Sequence, residues 1–294
     1  MMRNGDDLED DFVVDDLVAL SEEEVDSPDL DDEFVADDHD ASPPTTTNDQ
    51  PSQAAASKKR KRREKEKERK KRKLAETQDP KLTQTVALQS PEKLAEYLAS
   101  MQKRTFKDMS DLELEDLRIP ASAIADTSMW TGPRTLDHLV DFIIKVLPNL
   151  KTRLSQRPKS TGSPTLLFLT SAALRVADVS RILKDKRLRG EKGGEVAKLF
   201  AKHIKLAEHV TYLRRTRVAA APGTPGRIGK LLCETESISV SQLTHIILDI
   251  TFRDSKNRNL LDIPETRDEV FKTVLGAPKV LKAIKDGKVQ VVLL

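Results

Sequence analysis

The sequence predicts an α/β fold in which one parallel β-sheet is flanked by helices on both faces. Two short, continuous apolar runs, 165–169 (TLLFL) and 243–250 (LTHIILDI), have the composition of strands that are buried on both faces. Other segments repeat their apolar residues at helical spacing, so strands alternate with helices along the chain. This alternation is typical of a parallel sheet with crossover helices.

Two helices are predicted before the first strand. Ser90 followed by Pro91 has the pattern of an N-cap and a first-turn proline, which predicts a helix that runs through residue 104. Residues 106–130 show no regular pattern. From 136 to 147 the apolar residues recur at helical spacing, and Pro148 closes that helix.

The predicted sheet begins at 165–169 and continues to the end of the chain. Residues 218–221 form a short strand of small residues, 289–293 form a last strand, and 196–200 fit either a strand or a helical turn. The predicted helices between these strands are 172–183, 206–213, 228–232, 263–275 and 278–286.

Charge is segregated along the chain, although the formal net charge is only +2. Residues 1–40 carry 18 Asp or Glu against one Arg, and 58–73 carry 13 Lys or Arg against three Glu. The composition of 1–57 predicts a disordered acidic tail and linker, which either keeps the protein in solution or docks on a basic partner. The body, 74–294, has a net charge of +10.

The basic run 58–73 has three readings: a nuclear import signal, a non-specific RNA arm, or a solvated helix. Its density of positive charge favours import or RNA contact, and RNA affinity of this kind depends steeply on salt. Its core residues are Lys58, Lys59, Arg60, Lys61, Arg62 and Arg63.

Several classes of protein are disfavoured by what the sequence lacks. A single cysteine, Cys233, allows no internal disulfide and fits a reducing compartment. No stretch has the roughly 18 apolar residues of a membrane span, and the acidic start does not match a signal peptide. The five histidines do not form metal-ligand spacings with Cys233. We therefore expect no membrane, no metal and no cofactor.

The segment 218–228 (VAAAPGTPGRI) carries the strongest functional signal. Thr224 can cap the following helix, Pro225 suits its first turn, and Gly226 offers a backbone N–H. A helix N-terminus beside Arg227 is a natural site for phosphate. The alternative is a turn with ordinary capping chemistry. Ligands of parallel sheets bind beyond the carboxyl ends of the strands, where this segment is expected to lie.

On these residues the chain resembles the first RecA-like domain of DEAD-box RNA helicases. In that family Thr-Pro-Gly-Arg after a strand holds the RNA backbone, and residues 170–175 and Lys202-His203 occupy the places of other RNA-contacting motifs. The resemblance implies a single RecA-like sheet. It also implies that RNA or a partner contacts Ser171, Arg175, Lys202, His203, Thr224, Pro225, Gly226 and Arg227.

The residues that bind and hydrolyse ATP in such helicases have no counterpart here. The expected Gly-rich loop with its Lys and its Ser or Thr is replaced by 131–136 (TGPRTL), in which Pro133 removes an N–H. Asp249 is followed by Ile250 rather than by the Glu that orients water. We therefore expect no enzymatic activity.

A narrower resemblance rests on the acidic tail, the basic run, FAKHIK at 200–205, GTPGRI and DIPETR at 262–267. Together they are similar to the Cms family of helicase-like proteins of the small-subunit processome, the 90S pre-ribosome. This implies a nucleolar, non-catalytic role in ribosome biogenesis with pre-rRNA and processome proteins as partners. Two alternatives remain: a protein adaptor without RNA contact, and a divergent ATP-dependent helicase.

The predicted domain organisation follows from these patterns. Residues 1–57 are the acidic tail and linker, 58–73 the basic run, 74–130 an irregular helical extension, and 131–294 a degenerate helicase-like RecA domain.

Overall fold

The computed structural model describes residues 86–294, in which five parallel strands form one sheet. Their order across the sheet is β2-β3-β1-β4-β5, and every neighbouring pair is parallel. The strands are β1 (Leu166–Leu169), β2 (Glu195–Val196), β3 (Val218–Gly223), β4 (His245–Leu248) and β5 (Gln290–Leu293). This confirms the predicted α/β fold with a single parallel sheet.

Helices precede the sheet and connect its strands. They are α1 (Pro91–Thr105), α2 (Asp111–Leu117), α3 (Leu139–Val146), α4 (Pro148–Leu154), α5 (Ala173–Leu183), α6 (Lys186–Arg189), α7 (Leu206–Arg215), α8 (Pro225–Gly229), α9 (Pro264–Glu269) and α10 (Pro278–Lys285). Two of them, α8 and α9, continue as π-helical turns over Lys230–Glu234 and Val270–Leu275. None of the helices in the described range is long and apolar enough to cross a bilayer.

Both faces of the sheet are buried, as continuous apolar strands require. In β1, Leu166 and Phe168 point to a core that includes α3, α4 and α5, whereas Leu167 and Leu169 point to the opposite core. That second core also contains apolar residues of α1. The helix before residue 130 thus packs on the same sheet as the rest of the domain.

Two local features depart from the predicted elements. Pro148 ends α3 but also begins α4, since proline is well suited to the first turn of a helix. The stretch predicted to be irregular contains α2, which begins with a capping box between Ser110 and Glu113. The Ser-x-x-Glu pattern for this helix was present in the sequence.

The ambiguous segment 196–200 is extended. Only Glu195–Val196 is a strand, and Leu199 forms a further parallel bridge to Gly223. The predictions for the acidic tail at 1–57 and for the basic run at 58–73 lie outside the described residues.

Candidate functional site

The carboxyl ends of three neighbouring strands meet at one edge of the sheet. The Thr170 N–H after β1 donates to the carbonyl of Gly223 at 3.2 Å, and the Asp249 N–H after β4 donates to the carbonyl of Leu169 at 2.9 Å. Thr224 follows β3 directly. We call this region, made of 170–175, 199–203, 224–227 and 249–252, the carboxyl edge.

Asp249 at this edge is buried, and neighbouring groups donate hydrogen bonds to its carboxylate. Its carboxylate accepts from Arg175 Nε at 2.9 Å and from the Thr251 hydroxyl at 2.7 Å. The backbone N–H groups of Thr251 and Phe252 also donate to it, each at 3.2 Å. The Arg175 guanidinium lies over the Phe252 ring, 5.4 Å from its centroid. The Asp249 carboxylate is therefore engaged in a structural ion pair.

Arg227 is also directed into the protein, and only 8% of its surface is exposed. Its Nη2 donates to the Ile204 carbonyl at 2.9 Å, and Nη1 lies 3.2 Å from His209 Nδ1. Burial, followed by the charge of Arg227, lowers the pKa of His209 to about 4. The ring is thus neutral near pH 7, so it can accept a hydrogen bond from the guanidinium. Arg227 fixes α8 to the segment that starts α7.

The glycines of GTPGRIGK serve close helix packing. A Cβ on Gly226 would lie 2.2 Å from the Glu269 carboxylate, and one on Gly229 would lie 2.0 Å from Thr273 Oγ1. Burial raises the pKa of Glu269, while a hydrogen bond from the Gly226 N–H opposes that effect. The backbone donor that the sequence assigned to phosphate therefore faces a carboxylate of the same chain.

The other predicted contact residues differ in exposure. Lys202 and His203 are exposed, and His203 takes a left-handed backbone conformation with φ of 63°. Ser171 and Thr224 are half-buried, and Pro225 is buried. The structure thus gathers the predicted residues at one edge but presents few of their charged groups to solvent.

The loop at 131–136 is packed onto the end of β5 through Arg134, which sequence reasoning did not single out as functional. Arg134 is 3% exposed and donates to the carbonyls of Thr127 and Leu293 at 2.9 and 3.2 Å. Its guanidinium lies 5.4 Å from the centroid of the Phe142 ring, and burial lowers its pKa to about 10. Trp130 covers the loop, because a Cβ on Gly132 would lie 2.8 Å from its ring.

Within residues 86–294, no group of three or more His, Cys, Asp or Glu side chains is arranged to hold a metal ion. His245, which is buried at the start of β4, has a pKa lowered by burial to about 4, and its Nδ1 lies 2.9 Å from Thr244 Oγ1.

Comparison with solved structures finds DEAD-box proteins. The chain is similar to the crystal structure of a DEAD box protein from the hyperthermophile Methanococcus jannaschii, with 16% identity and a TM-score of 0.34. The match covers 63% of this chain and 47% of that one. The strand order and the parallel pairing define the fold of this chain independently of that match.

Comparison with protein sequences is more specific. The chain is 40% identical over 184 residues to Protein CMS1 of Chaetomium thermophilum, which covers 63% of this chain and 71% of that protein. It is 35% identical over 219 residues to Protein cms1 of Schizosaccharomyces pombe, 74% of each. Protein CMSS1 of Homo sapiens matches at 31% identity, covering 68% of each chain.

A family model, described as CMS1, U3-containing 90S pre-ribosomal complex subunit, matches residues 45–294. The similarity inferred from the sequence motifs is thereby confirmed. This chain belongs to the CMS1 family of 90S pre-ribosomal complex subunits.

Proposed function

We propose that this protein is a non-catalytic subunit of the small-subunit processome, which helps to assemble pre-rRNA with its proteins in the nucleolus. The family assignment supports membership of the 90S pre-ribosomal complex. The non-catalytic role is supported chiefly by Arg134, whose buried guanidinium binds the chain's own carbonyls in the loop where a helicase would hold ATP phosphates.

The engaged state of Asp249 supports the same conclusion. A carboxylate that takes part in ATP hydrolysis must be free to bind magnesium or orient water. Here Arg175 and Thr251 donate to it, and its side chain is 0% exposed. Magnesium would have to displace the arginine before it could reach this carboxylate.

Nucleotide chemistry is tested directly with the full chain. We expect no ATP binding and no turnover above background, with or without RNA, when a DEAD-box helicase serves as the positive control. RNA-stimulated ATP turnover that disappears in Asp249→Asn, while circular dichroism shows that this variant is folded, would instead establish a divergent enzyme.

RNA contact at the carboxyl edge is the second part of the proposal, and the exposed Lys202 and His203 are its best-placed residues. Ser171 and Thr224 flank the same edge, whereas Arg175 and Arg227 would first have to leave Asp249 and Ile204. Because both arginines are bound to groups inside the protein, the alternative in which this edge contacts a protein and not RNA is favoured. The basic residues at 58–63 are proposed to supply nuclear import or RNA contact.

In-cell RNA crosslinking with identification of the crosslinked peptides separates the two possibilities. Crosslinked peptides that contain Lys202 and His203, lost together with pre-ribosome co-sedimentation in Lys202→Glu, would support RNA contact. Arg227 is buried, so the double variant Lys202→Ala/Arg227→Ala changes the interior as well as the surface. Its result is therefore compared with that of Lys202→Glu alone. Lys93→Glu on α1 is a control with the same change in charge. If both RNA crosslinking and co-sedimentation persist in the Lys202 variants, the carboxyl edge is not the RNA site.

A further inference from the structure

The opposite end of the sheet carries a basic surface that the helicase resemblance does not account for. Segments 153–162, 189–195 and 213–217 lead into β1, β2 and β3, respectively. These strands are neighbours in the order β2-β3-β1 and are parallel, so the three preceding segments lie at the same end of the sheet. We call them together the amino-end surface.

Contacts between the three segments show that they form one continuous surface. The Gly162 N–H donates to the Thr216 carbonyl at 3.1 Å. A Cβ on Gly194 would lie 2.5 Å from Pro158 Cγ and 2.7 Å from the Arg217 carbonyl oxygen. The backbone of each segment is thus held against the next one.

The charge of this surface is strongly one-sided. Its segments contain eight Lys or Arg against two Glu, and one of these glutamates, Glu195, is paired with Arg189. The side chains of Arg157, Lys192 and Arg217 are exposed and make no hydrogen bond or ion pair within residues 86–294. Most of the positive charge is therefore uncompensated by the domain itself.

Neighbouring helices show that this imbalance is not a general property of the surface. On α5, Arg181 pairs with Asp178 at 2.9 Å, and on α6, Arg187 pairs with Asp185 at 3.0 Å. Surfaces without a binding role usually mix both signs of charge in this way, because clustered like charges repel. A cluster of unpaired cations suits a polyanion.

We propose that the amino-end surface binds the phosphate backbone of RNA. The inference rests on the proposed function in one respect, that the polyanion is RNA, but it does not depend on RNA contact at the carboxyl edge. The three segments themselves contain no aromatic residue, and the one exposed ring at their border is Tyr212, which lies near Arg189 and Glu195. Recognition is accordingly chiefly of the phosphate backbone, and it is sensitive to salt.

The test uses the full chain with all 13 Lys and Arg of residues 58–73 changed to Gln, so that the basic run does not mask the surface. In this background, Arg157→Glu/Lys192→Glu/Arg217→Glu changes one cation in each segment. Binding of a labelled single-stranded RNA of about 20 nucleotides is measured by fluorescence anisotropy at several salt concentrations. We expect Kd to rise about 10- to 100-fold, and the slope of log K against log salt to fall by about 2 in magnitude, as expected for three lost phosphate contacts.

Two comparisons make the result specific. Lys93→Glu/Lys107→Glu/Lys282→Glu changes the net charge equally on other elements, and it should lose less than about threefold in affinity. Lys202→Glu reports on the carboxyl edge in the same assay. If the amino-end variant binds RNA as tightly as its parent with an unchanged salt slope, the inference is wrong. Loss of binding in Lys202→Glu alone would then leave the proposed function intact at the other edge. Circular dichroism and thermal melting of each variant verify that it is folded.

Discussion

The two ends of the sheet use arginine in opposite ways. At the carboxyl edge, Arg175 and Arg227 donate to a buried carboxylate and to a backbone carbonyl, and both are largely shielded from water. At the amino-end surface, Arg157 and Arg217 are exposed and have no partner within the part of the chain that the structure describes. The charged groups of the carboxyl edge are paired within the fold, and those of the amino-end surface are not.

The motif residues at 224–227 are held by contacts within the fold. Thr-Pro-Gly-Arg at 224–227 keeps the residues of the helicase pattern, yet its glycine faces Glu269 and its arginine faces His209. Hydrogen bonds made within the fold must be broken before the same groups can bind phosphate, and each broken bond costs about 1–3 kcal/mol when a buried group is left unpaired. Cations that are already free carry no such cost.

The largest expected effect is a loss of stability when the carboxyl edge loses an arginine that supports the fold. Arg175→Ala should lower the free energy of unfolding by about 4 kcal/mol, because it leaves the buried Asp249 carboxylate without its cation. Urea denaturation at neutral pH measures the loss. The double variant Arg175→Met/Asp249→Asn removes both charges and should recover most of it. A loss below about 1 kcal/mol in the single variant would mean that Arg175 is free to bind a ligand.

A pH dependence should reveal the buried, neutral state of the His209 ring that faces Arg227. His209 has a pKa of about 4 in the folded protein against 6.5 for a free histidine. Between these values the unfolded chain takes up a proton that the folded chain does not, so the free energy of unfolding should fall as pH decreases from 6.5 to 4. The shift corresponds to about 3 kcal/mol for this residue.

The measurement is the difference in this pH dependence between the parent and His209→Asn, which should flatten the curve between pH 6.5 and 4. His245, buried without a neighbouring arginine, has a similar pKa and serves as the comparison. If His209→Asn leaves the curve unchanged, the histidine is accessible to water and is not buried beside Arg227 as described.

The packing of α8 against the helix that contains Glu269 gives a smaller effect. Gly226→Ala should destabilise the protein by about 1 kcal/mol, since the new methyl group would push the flexible Glu269 carboxylate aside and break its hydrogen bond with the Gly226 N–H. Gly226→Ala/Glu269→Ala removes the obstruction, so the two changes should be strongly non-additive in thermal or urea unfolding. Additive losses would show that Gly226 is retained for another reason, such as approach of a ligand to its backbone.

The fold was predictable because its signals are local and repeated. The apolar runs that became β1 and β4, and the helical spacing that became α3 and α5, follow from burial on both sheet faces. The first-turn role of Pro148 and the capping box at Ser110 were also visible in the sequence. Both features follow from rules about neighbouring residues, which can be applied to the sequence alone.

The state of the candidate site was less predictable because it depends on contacts between distant residues. Arg134 contacts Leu293, and Gly226 contacts Glu269, across separations that no spacing rule covers. Sequence analysis could place Arg227 after a strand but not its turn toward His209. The amino-end surface has a sequence signal, three basic segments before three strands, but its meaning depends on knowing that those strands are neighbours.

The smallest expected effect tests the other half of the comparison. Arg157→Ala and Arg217→Ala should each change the free energy of unfolding by less than about 0.5 kcal/mol, because exposed cations without partners contribute little to stability. The changes should even be slightly favourable at low salt, where removal of one cation relieves repulsion from the others. Urea denaturation at low and high salt would detect this. A loss above about 1 kcal/mol in either variant would show that these arginines support the fold, as Arg175 does, and that the two ends of the sheet do not differ in kind.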